Sequence, residues 1–225
     1  MKFSGIQKTS LIDFPDNVST VLFTAGCNLR CPYCHNWRIV LEYNGPFLSE
    51  EDAVKTLEER KKFIEHVVIT GGEPTIQVGL PGFLSRLKAL GYKAKLDSNG
   101  MRPGVLEKSL AHLDYVAVDV KTSLDLYPRL KAESVEGLLK TINILKEGSV
   151  DYEFRCTAVP VFVDEDIVHR IGEMVEGARR FAFQQFIPGD TLDPAFNSKT
   201  PYTKEKISQF AEIMTDYVEE VILRV

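Results

Sequence analysis

Short apolar runs alternate with helical periodicities along this chain, and that alternation predicts its fold class. Runs of strand length stand at 18–23, 66–70, 93–97, 115–120, 152–159 and 181–187. Between them lie stretches with apolar residues at helical spacing. Ser49-Glu50-Glu51-Asp52 resembles a capping box with Asp in place of Glu. The helix that follows, to about residue 62, puts Ala53 and Leu57 on one face, with Ile64 in line beyond. Further helices are predicted over 82–90 (ended by Gly91), 103–113 (Pro103 near its start), 135–146, 165–175 and 204–221. A short last strand follows at 221–225. About six strands alternating with helices argue for parallel β/α units. The expected fold is α/β, a partial, open β/α barrel, because a chain of this length holds too few units for a closed eight-fold one.

Composition narrows the class. The 225 residues are 44% hydrophobic and 26% charged, which excludes disorder and collagen-like repeats. No apolar run approaches the roughly 18–20 residues of a membrane span. Met1-Lys2-Phe3-Ser4-Gly5 turns polar at once, unlike a signal peptide. The expectation is a single cytoplasmic domain over 1–225 with no membrane contact. The formal charge of −5 argues against nucleic acid as a partner.

The candidate chemistry begins with cysteine. Cys156 sits in an apolar stretch and reads as a core thiol. Cys27, Cys31 and Cys34 fall within eight residues, and three clustered cysteines cannot all pair locally. Three readings compete. Zinc would use Cys27, Cys31, Cys34 and His35, but adjacent Cys34 and His35 strain to bind one tetrahedral ion. Cys31-Pro32-Tyr33-Cys34-His35 matches the c-type haem attachment pattern but leaves Cys27 without a role. An iron–sulfur cluster with three cysteine ligands leaves one iron open to an exogenous ligand. The other polar motifs fall at predicted strand ends: Gly71-Gly72-Glu73-Pro74, Asp97-Ser98-Asn99-Gly100, Asp119-Val120-Lys121 and Gln184-Gln185. In β/α barrels those ends share the face that carries the active site.

The Cys27-x3-Cys31-x2-Cys34 spacing, with Tyr33 before the third cysteine, resembles the signature of the radical S-adenosylmethionine (SAM) superfamily. The segment from Thr24 to Asn36 resembles the glycyl-radical-enzyme activating family within it. It is most similar there to the activating proteins of anaerobic ribonucleoside-triphosphate reductase. The resemblance also takes in Asp13-Phe14-Pro15 and the strand-end motifs. It implies a [4Fe–4S] cluster whose open iron is chelated by SAM, and it leaves room for a monovalent cation. The implied reaction cleaves SAM to methionine and a 5′-deoxyadenosyl radical. That radical is passed to a glycyl-radical enzyme, here anaerobic ribonucleotide reductase. An external low-potential flavodoxin or ferredoxin supplies the electron.

The same resemblance assigns the residues. Cys27, Cys31 and Cys34 match the cluster ligands. Tyr33 matches an aromatic position near adenine, or else closes the rim as a loop aromatic. His35 lines that pocket or holds the loop. Gly71 and Gly72 allow close backbone approach to the methionyl ammonium, with Glu73 supplying charge or capping the next turn. Asp97, Ser98, Asp119 and Lys121 face the amino-acid end of SAM, the two carboxylates being cation ligands or plain caps. Relatives use a histidine for the nucleoside. This chain has none at that place, which leaves Gln185, beside Arg155 on the preceding strand. Asp13 matches a residue that meets the partner's glycine loop. Two other readings stand beside the activase: activation of a pyruvate formate-lyase type of enzyme, and a small-molecule radical SAM enzyme such as a deazapurine synthase. An iron–sulfur electron carrier would have no use for the strand-end motifs.

Overall fold

The computed structural model describes residues 1–41 and 45–225. Among the described residues there are eight strands, β1 Phe3–Phe14, β2 Asn17–Thr24, β3 His66–Gly71, β4 Lys93–Ser98, β5 Tyr115–Asp119, β6 Asp151–Ala158, β7 Ala178–Gln185 and β8 Val218–Arg224. Seven α-helices are found among the described residues, α1 Trp37–Leu41, α2 Glu50–Arg60, α3 Leu80–Ala89, α4 Pro103–Leu110, α5 Glu136–Glu147, α6 Glu165–Val175 and α7 Lys204–Met214. Strand order follows chain order, β1 to β8. The α/β class and the open, mostly parallel sheet agree with the sequence reading. The strand count does not, being eight rather than six.

β1 was not expected, and the short last strand expected at 221–225 begins at Val218; both differences have physical causes. β1 pairs antiparallel with β2, and its register shifts three times. Those bulges break the period of two that marks a strand in sequence. Leu11 and Ile12 are also 74% and 87% exposed, so its apolar residues do not mark a buried face. At the other end α7 stops at Met214, and Val218 already belongs to β8. The periodicity to Val221 ran helix and strand together.

The chain forms two compact units. One comprises Met1–Asn28, Asn36–Ser98 and Arg102–Val116, and the other Leu29–His35, Asn99–Met101 and Ala117–Val225. In the first, β2, β3 and β4 are parallel, with Val21 opposite Val68 and Val68 opposite Lys95. Val67, Val68 and Ile69 are fully buried, as expected of a parallel strand covered on both faces. α2 begins on a complete capping box. Ser49 Oγ accepts from Asp52 N at 3.1 Å and Asp52 Oδ2 accepts from Ser49 N at 2.9 Å. In the second unit, β6, β7 and β8 are parallel, with Phe154 opposite Phe181 and Phe181 opposite Val221. The side chains of Asp164 and Thr203 cap α6 and α7.

The faces of β6 differ in kind. Tyr152, Phe154, Cys156 and Ala158 are buried on one side, while Glu153, Arg155 and Thr157 alternate with them. Chemistry-bearing side chains are thus threaded through strands that the hydrophobic effect holds in place.

Candidate active site

In the first unit, β2 runs out through Thr24-Ala25-Gly26 to Cys27. That backbone is tied down by the loop after β3. Gly72 N donates to Thr24 O and Glu73 N to Gly26 O, both at 2.8 Å. The approach is possible only with glycine. A Cβ on Gly72 would sit 1.9 Å from Gly26 O, and one on Gly71 (φ +107°) would sit 2.6 Å from Thr24 N and O. Asn36 Nδ2 donates to Gly71 O at 3.0 Å, and Gln77 Nε2 to Ala25 O at 2.9 Å. The first task of the double glycine is therefore to hold the loop that presents Cys27.

Glu73 is 1% exposed. Its Oε1 accepts from Thr75 N at 3.0 Å and Ser98 Oγ at 2.9 Å, and also from Thr75 Oγ1. It caps the 3-10 turn Pro74–Ile76 and links it to the end of β4. Asp97, on β4, receives Lys95 Nζ at 2.6 Å, and both side chains are buried. Lys95 escaped the sequence reading. Its signal was Lys95-Leu96-Asp97, the reverse of Asp119-Val120-Lys121, with both charged residues on one face of the strand. Asp13, on β1, accepts a hydrogen bond from Ser10 Oγ inside the bulged segment next to exposed Leu11 and Ile12.

In the second unit, Leu29–His35 is held at several points. Cys34 N donates to Cys31 O at 3.0 Å, closing a turn. Arg30 N donates to Leu130 O at 2.8 Å, Asp193 N to Pro32 O at 2.8 Å and Leu192 N to Cys34 O at 3.1 Å. His35 Nε2 donates to Ile187 O at 2.9 Å, so its ring holds the loop. The Tyr33 ring, 8% exposed, packs on Phe162 (centroids 5.5 Å apart) and Phe196 (6.2 Å). It is an anchor in an aromatic cluster. The buried Cys31 thiol is pushed up to about 11 by burial, which the Lys121 charge only partly offsets.

Asp119, at the end of β5, is held by two cations. Arg155 Nε lies 2.9 Å from Oδ1 and Lys121 Nζ 3.1 Å from Oδ2. Burial raises this carboxyl's pKa, but Arg155 and Lys121 together outweigh it and hold the group down to about 2. Burial likewise opposes the Lys121 charge, and Asp119 with Cys31 keeps that ammonium's pKa well above the usual value. Tyr127 Oη accepts from Lys121 N at 3.0 Å and fixes the backbone there. One anion between two cations leaves a net positive charge, suited to an anionic ligand group. Gln185 Nε2 donates to Phe186 O and Tyr202 O, both at 3.1 Å, so its amide nitrogen secures the chain beyond β7.

Among the described residues, no group of three or more His, Cys, Asp or Glu is placed to hold a metal ion. None of the four cysteines is in a disulfide. The fit to an iron–sulfur cluster therefore lies in the donor set: soft sulfur ligands, uncommitted to disulfides, whose protons leave when metal binds.

A β/α sheet with a cysteine loop after the first parallel strand and a glycine loop after the second defines a class. The Radical SAM superfamily profile matches residues 21–174, and the chain belongs to that superfamily. It is a radical SAM enzyme, and members of the superfamily use a [4Fe–4S] cluster and SAM. Among its relatives, a Methanocaldococcus jannaschii protein provisionally named as a glycyl-radical enzyme activating enzyme is 36% identical, over 98% of this chain and 95% of its own. The pyruvate formate-lyase-activating enzyme of Clostridium pasteurianum is 27% identical, over 85% of this chain and 83% of its own. The fold is also similar to the crystal structure of Streptococcus suis SuiB bound to S-adenosylmethionine. That comparison has a TM-score of 0.67 and 15% identity, over 91% of this chain and 52% of that one. No helix among the described residues is long and apolar enough to cross a membrane.

Proposed function

We propose that this chain is an activase that installs a glycyl radical on a partner enzyme, and that the partner is anaerobic ribonucleoside-triphosphate reductase. The observation that carries the activase reading is the likeness to a named activating enzyme along nearly the full length of both chains. The choice of reductase over pyruvate formate-lyase rests on the cysteine-loop segment from Thr24 to Asn36. The whole of 1–225 is read as one radical SAM domain, with residues of both units inside the matched span.

In this reading, Cys27, Cys31 and Cys34 are the thiolate ligands of the cluster, and one iron is left for SAM. When bound, the cluster supplies the single electron that splits SAM into methionine and a 5′-deoxyadenosyl radical. The chain's own residues bind and orient. Lys121 and Arg155, bridged by Asp119, offer positive charge to the methionyl carboxylate. The Gly71-Gly72-Glu73 loop and Asp97-Ser98 lie toward the amino-acid end. Tyr33 and His35 hold the cofactor loop in shape, and the Gln185 segment lies toward the nucleoside. Asp13, beside exposed Leu11 and Ile12, meets the partner, and a reduced flavodoxin or ferredoxin is the electron donor.

The test is a radical assay. Reduced enzyme, SAM and the anaerobic reductase together should give a doublet glycyl-radical signal in electron paramagnetic resonance. 5′-Deoxyadenosine and methionine should be released with it. Deoxyadenosine release without a protein radical on the reductase or on any other glycyl-radical enzyme would sink the activase reading. It would favour a small-molecule substrate instead.

A second expectation concerns SAM affinity. Asp119→Ala and Lys121→Ala should each weaken SAM binding by roughly 10–150-fold, the equivalent of one charge-assisted hydrogen bond. Cluster content should stay intact. Titration of the reconstituted proteins measures this, and unchanged affinity in both variants would leave these residues a purely structural role.

A further inference from the structure

Lys95 is a side chain that the reading above does not use. It stands two positions before Asp97 on β4, so the two share one face of the strand. Lys95 is 2% exposed and Asp97 9%. The cross-strand neighbour of Lys95 on β3 is Val68, an apolar residue. Lys95 Nζ lies 2.6 Å from Asp97 Oδ1, and among the described residues Asp97 is the acceptor of this ammonium. A lysine is expensive to bury, and this one is spent on a single carboxylate.

We propose that Lys95 is the built-in counter-ion of Asp97, and that it makes a bound monovalent cation at that carboxylate unnecessary. The inference rests on the proposed placement of Asp97 toward the amino-acid end of SAM. An ammonium group and a sodium or potassium ion meet the same need, one positive charge against a carboxylate with little water to screen it. They differ in that the lysine is covalently held and cannot be diluted away. A second cation on Asp97 would also stand within a few ångströms of the ammonium, and like charges at that distance repel strongly in a buried setting. Lys95 is thus a positioning residue. It keeps Asp97 aimed and its charge balanced, and it makes SAM binding indifferent to the surrounding salt cation.

The experiment exchanges sodium and potassium chloride for choline chloride at constant ionic strength. Choline, a bulky quaternary ammonium with no N–H, is a poor stand-in for a bare sodium or potassium ion on a carboxylate. Two readouts are taken on the wild type, Lys95→Met and Lys95→Arg. One is the melting temperature of the chain as purified, which needs neither cluster nor turnover. The other is SAM affinity of the anaerobically reconstituted protein. Wild type and Lys95→Arg should show no change in either readout on exchange. Lys95→Met should melt on the order of 10 °C lower in choline and bind SAM about tenfold more weakly. Sodium or potassium should restore much of both. Wild-type SAM affinity that falls about tenfold when sodium and potassium are withdrawn would overturn the inference, as would Lys95→Met binding SAM normally in choline. If Lys95→Met does not fold, the wild-type and Lys95→Arg arms decide alone. Failure of the wild type to bind SAM in any salt would instead overturn the proposed function beneath it.

Discussion

Alanine at any one of Cys27, Cys31 or Cys34 is expected to abolish the cluster. The anaerobically reconstituted wild type should carry about four irons and four sulfides per chain, and each of these variants close to none. The reason is the small donor set. In the proposed reading three thiolates would hold the whole cluster, with one iron left for SAM, and none would be spare. Cys156→Ala supplies the contrast. That thiol is buried, its Sγ faces Lys121 O at 3.9 Å and Thr157 O at 3.6 Å, and burial pushes it up to about 12. Cys156 behaves as a small core side chain, so its removal should cost about 1 kcal/mol of stability and no iron. Iron and sulfide analysis of the four variants decides the matter. Loss of the cluster on Cys156→Ala would refute the three-ligand reading.

The second large effect is expected at Gly72. An alanine there puts its Cβ 1.9 Å from Gly26 O and 2.8 Å from Gly26 C, a collision with backbone that no rotamer relieves. The loop after β3 must then move away from Thr24–Gly26, and the hydrogen bonds from Gly72 N and Glu73 N go with it. The cost should be about 3 kcal/mol, a fall of roughly 6–12 °C in melting temperature. Because the displaced backbone leads directly into Cys27, reconstituted iron should fall as well. Gly82→Ala is the control. Gly82 lies inside α3 with nothing within 4 Å of its Cβ position, so the substitution should stabilise by about 0.5–1 kcal/mol. A Gly72→Ala protein that melts and binds iron like the wild type would show that the loop contact is dispensable.

Much of this was legible in the chain itself. The buried parallel strands were visible because short continuous apolar runs bounded by turn residues mark strands covered on both faces. Placing the polar motifs at their ends followed from the same runs. β3 ends at Gly71, β4 at Ser98, β5 at Asp119 and β7 at Gln185, as the apolar pattern implied. β1 was not legible, because an exposed, bulged edge strand carries no alternation to detect. The α7–β8 boundary was hidden for a different reason: helix and strand each present apolar residues there, and no glycine or proline separates them.

The sequence by itself determined the class of chemistry. The spacing of Cys27, Cys31 and Cys34, the glycine pair some forty residues on and the carboxylates at strand ends are local facts, and they survive any arrangement of the chain. Only the tertiary structure decided how individual side chains are employed. It set the Tyr33 ring among Phe162 and Phe196, turned Gln185 and His35 to backbone carbonyls, joined Asp119 to Arg155 across two strands and buried Lys95 against Asp97. The physical reason is that these choices are settled by burial and by satisfaction of polar groups. Both depend on what lies across a strand or a loop, and no spacing along the chain encodes that.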